Sequence, residues 1–166
     1  KKLVAEGVLA DHVLTDEDSH PLAAAKIDEA VRSAGDADQL ARLAALAVVM
    51  AHRQEAIPLL KTRYLQSAAG REKLYYAKIL GMIGDPTGAA ALIDAIDARD
   101  RWDRGTALTS QRKTGNTFSD LDRLVIALGL SRAPEGTAPL LRKLKQLQPD
   151  GELSHYKALS LALWET

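Results

Sequence analysis

Apolar positions along this chain recur with helical spacing, and the recurrence itself repeats. Ala77, Ile79, Leu80 and Ile83 alternate with polar residues at intervals that leave one apolar face on a helix. Gly84-Asp85-Pro86 then breaks the pattern, and Ala89 through Ile93 starts a second apolar stripe. The whole phrase from Ala77 to Ile93 returns without gaps from Val125 to Leu141. A looser copy runs from Ala44 to Leu60. Each copy reads as a helix, a tight turn and a return helix. Self-similarity at a nearly fixed period marks a repeat architecture, in which each unit buries its apolar face against its neighbours.

The equivalent positions Pro58, Ala91 and Pro139 are separated by 33 and then 48 residues. The excess falls in one place, about residues 98–118, between the return helix of one copy and the first helix of the next. An insertion at a junction between repeats is a loop on one face, and it is the first place to seek function. Along the rest of the chain the pattern predicts a short helix over residues 2–10 and a helix from about Asp18 to Ser33. Helices follow over 38–51, 56–66, 71–83, 87–97, 119–130 and 137–147. Pro58 is expected in a first helical turn, where its missing N–H costs nothing. The last segment, Leu153 to Trp164, aligns with a first helix through Ala158, Leu161 and Ala162. Without a return helix it is expected to leave Leu159, Leu163 and Trp164 uncovered on one side. Ser154 is expected to cap it, with His155 in its first turn.

The expected fold is therefore all-α, an α-α superhelix of about four helical hairpins with the last incomplete. Residues 1–37 form an N-terminal helical cap and 38–166 the repeat domain. The expected core includes Leu43, Leu46, Ile57, Leu60, Ile79, Leu80, Leu92, Ile93, Leu124, Leu128, Leu140, Leu141, Leu144 and Leu161. Composition agrees: 46% of the residues are hydrophobic but only 4% aromatic, and the apolar total is mostly Ala and Leu, which favour helices. No β-branched alternating run points to strands.

Charge narrows the partners. Lys and Arg number 22, as do Asp and Glu. A formal charge of zero argues against a nucleic-acid or membrane partner held by electrostatics. Cysteine is absent, so thiol and disulfide chemistry are excluded while the compartment stays open. The chain opens on Lys1 rather than Met, and a fragment of a larger protein is expected.

The A-x-x-L-G turn phrase, followed by Ala91-Leu92-Ile93 or Pro139-Leu140-Leu141, resembles HEAT-like repeats of the phycobilisome-lyase type over about residues 39–164. That resemblance implies a right-handed solenoid. A narrower likeness lies in the second half. Trp102-Asp103-Arg104-Gly105, Ser119 through Gly129, and Leu153-Ser154-His155-Tyr156-Lys157-Ala158-Leu159 are similar to the C-terminal HEAT-like region of some bacterial FAD-dependent oxidoreductases. It implies a flavoprotein parent. The G-x-G-x-x-G fingerprint is absent here, so any flavin site would lie outside this chain.

Candidate chemistry is sparse. Asp11, His12, Asp16, Asp18 and His20 have the donor types of a metal site, but their run suits turn and capping roles better. Glu152, Ser154 and His155 offer the residue types of a hydrolytic triad, yet neighbours in sequence do not face one another on a helix. No catalytic, cofactor-binding or metal residue is therefore assigned.

The insertion is more informative. Arg99, Arg101, Arg104, Arg112, Lys113 and Arg123 alternate with Asp97, Asp100, Asp103, Asp120 and Asp122, which favours local ion pairing over a phosphate groove. It also carries Trp102 and Phe118. Arg with Trp is the composition of interface anchors, and Arg101, Trp102, Arg104 and Phe118 are the candidate interaction residues. The sequence thus leads to a non-catalytic HEAT-like interaction or scaffold module. The alternative is the C-terminal accessory domain of a bacterial FAD-dependent oxidoreductase. The expected partner is a protein or an intramolecular domain, with self-association through the last helix as a further expectation.

Overall fold

The computed structural model describes residues 16–33, 39–103, 118–148 and 152–166, with side chains from residue 25 in the first stretch and residue 45 in the second. Among the described residues every regular element is helical: α1 (Asp16–Ser33), α2 (Gln39–Ala51), α3 (Arg53–Gln66), α4 (Arg71–Met82), α5 (Ala89–Asp97), α6 (Asp120–Leu130), α7 (Thr137–Leu144) and α8 (Leu153–Glu165). Short 3-10 turns, Pro86–Gly88 and Pro134–Gly136, lead into α5 and α7. The expected helix over residues 2–10 lies outside the described residues.

Two compact units divide between Ala56 and Ile57, where the sequence reading sets its boundary at 37/38. In the first, α1 packs against α2. Ile27, Ala30, Val31, Ala45 and Val49 are buried there, and Arg32 pairs with Asp28 one turn away at 3.0 Å. Helix α3 begins at Arg53, three residues before the expected start, so Pro58 stands inside it rather than in its first turn.

The second unit is built around α6. It packs against α4, α5 and α8, while α5 also meets α4 and α7, and α7 meets α8. Leu121, Asp122 and every residue from Leu124 to Gly129 are buried, so α6 is covered nearly all round. Small residues set the spacing. A Cβ built on Gly81 of α4 would stand 2.4 Å from the carbonyl oxygen of Ala127, and one on Gly129 would stand 2.3 Å from the Cα of Ala162 in α8. The backbones meet at those points, and only glycine fits.

The turn that closes α4 explains the sequence phrase. Gly84 has φ +87°, its N–H bonds to the Gly81 carbonyl at 3.0 Å, and the Asp85 N–H bonds to the Leu80 carbonyl at 2.9 Å. This is a Schellman ending, which satisfies carbonyls that the helix leaves open. In the next copy Arg132 takes the same place with φ 55°, a left-handed conformation unusual for a non-glycine residue, and its guanidinium reaches Glu165 at 2.8 Å. Asp85 then caps the 3-10 turn by accepting from the Thr87 N–H at 3.0 Å, and Lys61 of α3 pairs with it at 2.8 Å.

Much of the expected core is found. Leu60, Ile79, Leu80, Leu92, Leu124, Leu128 and Leu140 are buried, and Leu46, Ile57 and Ile93 are half-buried. The Leu43 side chain lies outside the described residues. Leu141, Leu144 and Leu161 are exposed, against expectation. Their counterparts in the preceding copy, Ile93, Ile96 and Leu128, are half-buried, buried and buried. On α8, Leu159 is buried, Leu163 is half-buried, and the open face carries Leu161 and Trp164. Ser154 is not the cap of α8: Glu152 holds the N-cap position and Ser154 is buried within the first turn.

Gly129→Ala is expected to lose about 2 kcal/mol in denaturant unfolding, because overpacking against backbone outweighs the roughly 1 kcal/mol that alanine gains in helix propensity. A gain in stability would show that α6 and α8 do not approach this closely. Burial opposes ionisation of Asp85, but hydrogen bonds from Lys61 and Thr87 outweigh it and hold its carboxyl below the usual 3.8. A carboxyl lowered in the folded state stabilises above its unfolded value, and that contribution disappears as pH falls through the folded value. Asp85→Asn should therefore flatten the acid limb of the stability–pH profile below pH 3.8; an unchanged acid limb would count against the pairing.

Candidate functional site

The start of the insertion is strapped down. Asp97, the last residue of α5, pairs with Arg142 of α7 at 2.6 Å. Arg99 donates from Nη1 to the Ala95 carbonyl at 2.5 Å, and its own carbonyl accepts from the Nζ of Lys143. Lys143 is buried despite its charge and also donates to Gln146 Oε1 at 3.0 Å. Burial pulls its pKa below the ordinary lysine value, against the opposite pull of Asp97 and Asp100.

Asp103 anchors the strap at its other end. Its carboxylate accepts from the backbone N–H groups of Asp120 at 3.1 Å and of Leu121 at 3.2 Å. These are open donors of the first turn of α6, where the helix dipole also favours an anion. Ser119 completes that terminus with a reciprocal capping box. Its Oγ accepts from the Asp122 N–H at 3.1 Å, and Asp122 Oδ2 accepts from the Ser119 N–H at 2.8 Å.

Asp122 has a second task. Its side chain is fully buried, and Oδ1 lies 2.8 Å from Nδ1 of His155 in the first turn of α8. A carboxylate only accepts, so Nδ1 carries the proton. The indole of Trp102 stacks on the imidazole, with ring centroids 4.6 Å apart and planes 28° from parallel. Trp102 Nε1 is buried and has no hydrogen-bond partner among the described residues. The cluster Trp102–His155–Asp122–Ser119 therefore joins the strap, α6 and α8 at one point.

The candidate interaction residues fall in different places. Arg101 is exposed, Trp102 and Phe118 are half-buried, and Arg104 lies outside the described residues. Sequence reasoning missed Asp122, and with it a carboxylate and a histidine brought together from separate helices. The triad it weighed named Glu152 as the carboxylate. Ser154 is no nucleophile for this histidine: its Oγ stands 3.5 Å from Nδ1, the nitrogen already committed to Asp122, whereas a triad requires it at Nε2. A signal for Asp122 was present. It replaces Leu74 of the preceding copy on an apolar face, and a carboxylate there needs a buried partner.

Asp11 and His12 lie outside the described residues, and Asp16, Asp18 and His20 lie in α1 where side chains are not described. Among the described residues no cluster of three His, Asp or Glu suits a metal ion. No described helix is long and apolar enough to cross a membrane. The chain matches no family model, no curated protein and no solved structure.

A double-mutant cycle measures the cluster. Asp122→Ala is expected to cost about 3 kcal/mol, since it strands the Ser119 N–H and the buried imidazole, and His155→Ala about 2 kcal/mol. The double variant should cost at least ~1 kcal/mol less than the sum. Strict additivity in urea unfolding would mean that the two side chains do not act together.

Proposed function

We propose that this chain is a non-catalytic repeat module of the HEAT-like, α-α superhelical kind, which holds a contact surface for another protein or domain. The α4–α5 and α6–α7 hairpins are equivalent in sequence, and α6 lies between α4 and α8, an order that stacked hairpins give. The observation that carries the functional part is the strap. Residues 99–103 are fixed from both ends, through Lys143 and Asp103, while Arg101 remains exposed. A side chain held on an ordered backbone loses less entropy on binding than one on a free loop.

A second reading has its own support. The three segments that resemble the C-terminal region of FAD-dependent oxidoreductases meet in one cluster: Trp102 from the first, Ser119 and Asp122 from the second, His155 from the third. In that reading the module is an accessory domain whose flavin is bound by other parts of the protein.

A photo-crosslinking residue at position 101 should join a protein partner, whereas one at Lys26, exposed in the first unit, should not. The purified chain should remain colourless after gel filtration with FAD. Crosslinking at neither position would sink the contact-surface reading, and stoichiometric retained FAD would overturn the non-catalytic one.

A further inference from the structure

The junction of α3, α4 and α5 holds an open cavity of about 530 Å³. Small residues leave the room: Ala91 and Ala95 of α5 line it, with Leu74 of α4 as a further apolar wall. Tyr64 of α3 also lines it. That residue is 8% exposed, and among the described residues its hydroxyl has no hydrogen-bond partner. Lys73 lines the same wall, with Nζ 4.9 Å from the centroid of the Tyr64 ring. Among the described residues no carboxylate pairs with it. Gly70, the N-cap of α4, completes that wall and has no side chain to cap the helix. The open donors and the positive end of the α4 dipole therefore lie at the cavity. Arg71 and Glu72 beside it are exposed and of opposite sign.

The next junction of the repeat shows what such a place takes. There, 48 residues on, the start of α6 stands for that of α4, and α7 stands for α5. The Asp103 carboxylate accepts from the first N–H groups of α6, at Asp120 and Leu121. Lys143 holds the place of Ala95 and is buried. That carboxylate comes from the insertion. The connection from α3 to α4 is only Ser67-Ala68-Ala69-Gly70 and brings none. One junction is thus filled and capped by the chain itself, whereas the other keeps a cavity, an unpaired cation and an uncapped helix.

We infer that this cavity binds a small organic monocarboxylate with an apolar body. The carboxylate lies on Lys73, the Tyr64 hydroxyl and the amino end of α4, and the body lies against Leu74, Ala91 and Ala95. Asp94 narrows the class. It is exposed at the cavity, and among the described residues it has no ion-pair partner. A second anionic group on the ligand would meet it as a like charge. The site uses no residue of the strap, so it stands or falls separately from the contact-surface reading.

Octanoate, octanamide and the dicarboxylate suberate test this, each titrated by NMR into the full isotope-labelled chain. Octanoate should bind about tenfold more tightly than octanamide, because charge-assisted hydrogen bonds are roughly twice as strong as neutral ones. Its shifts should centre on the amides of Gly70, Lys73, Ala91 and Ala95. Suberate should bind about fivefold more weakly than octanoate, and Asp94→Asn should remove that difference. Lys73→Met, which keeps the apolar stem, should bring octanoate down to the level of the amide. Ala95→Leu should abolish binding by filling the cavity, with an unchanged or raised melting temperature showing that the fold is intact. Equal affinity for acid and amide, shifts centred elsewhere, or no saturable shift up to about 10 mM octanoate would overturn the proposal. So would tighter binding of acetyl-leucyl-leucine than of octanoate, which would make the source a protein C-terminus.

Discussion

Helix α6 has almost no free side, and the rest of the second unit follows from that. A helix buried all round must be apolar or must pair every polar group that it carries inward. It must also approach its neighbours closely enough to leave no voids. Gly81 and Gly129 satisfy the second demand by letting α4 and α8 come to backbone contact. Asp122 is the exception to the first. It is polar and fully buried, and its oxygens are therefore committed to the Ser119 N–H and to His155.

That commitment links a local signal to a tertiary one. The capping box at Ser119 starts α6 where the insertion ends. The same carboxylate then fixes α8 through an imidazole, and Trp102 covers that imidazole with the strap. Start of helix, contact between helices and position of Trp102 meet in one cluster. The histidine nitrogen that faces Asp122 is also the one Ser154 approaches, so Ser154 is not aligned with Nε2 as a triad requires.

Electrostatics elsewhere follow the same economy. Asp85 caps a turn and is held ionised by Lys61. Lys143 is buried where the Arg99 carbonyl and Gln146 Oε1 accept its hydrogen bonds. Arg132 adopts a left-handed backbone where the preceding copy uses glycine, and it ties the end of α8 through Glu165. Each is a charge placed where it fixes a turn or a junction between helices.

Sequence alone placed the described helices to within a few residues, although α1 begins at Asp16, ahead of its expected start, and α3 at Arg53, where a turn was expected. Helical periodicity and the Gly84-Asp85-Pro86 phrase are local physics, legible without neighbours. The ungapped repeat also placed the insertion between Asp97 and Ser119, where α5 and α6 leave it. Pro58 shows the limit of local rules: it suits a first turn, yet α3 extends through it from Arg53. Which apolar residues are buried was only partly legible. Leu141, Leu144 and Leu161 satisfy the stripe as well as Leu128 and Leu140 do, yet the first three are exposed and the last two buried. The pairing of Asp122 with His155 was likewise decided by tertiary structure. The two hold equivalent places in successive copies, 33 residues apart, so the repeat implies their proximity. Their contact, and the ring of Trp102 upon it, arises from helix stacking, which brings together residues that no local spacing relates.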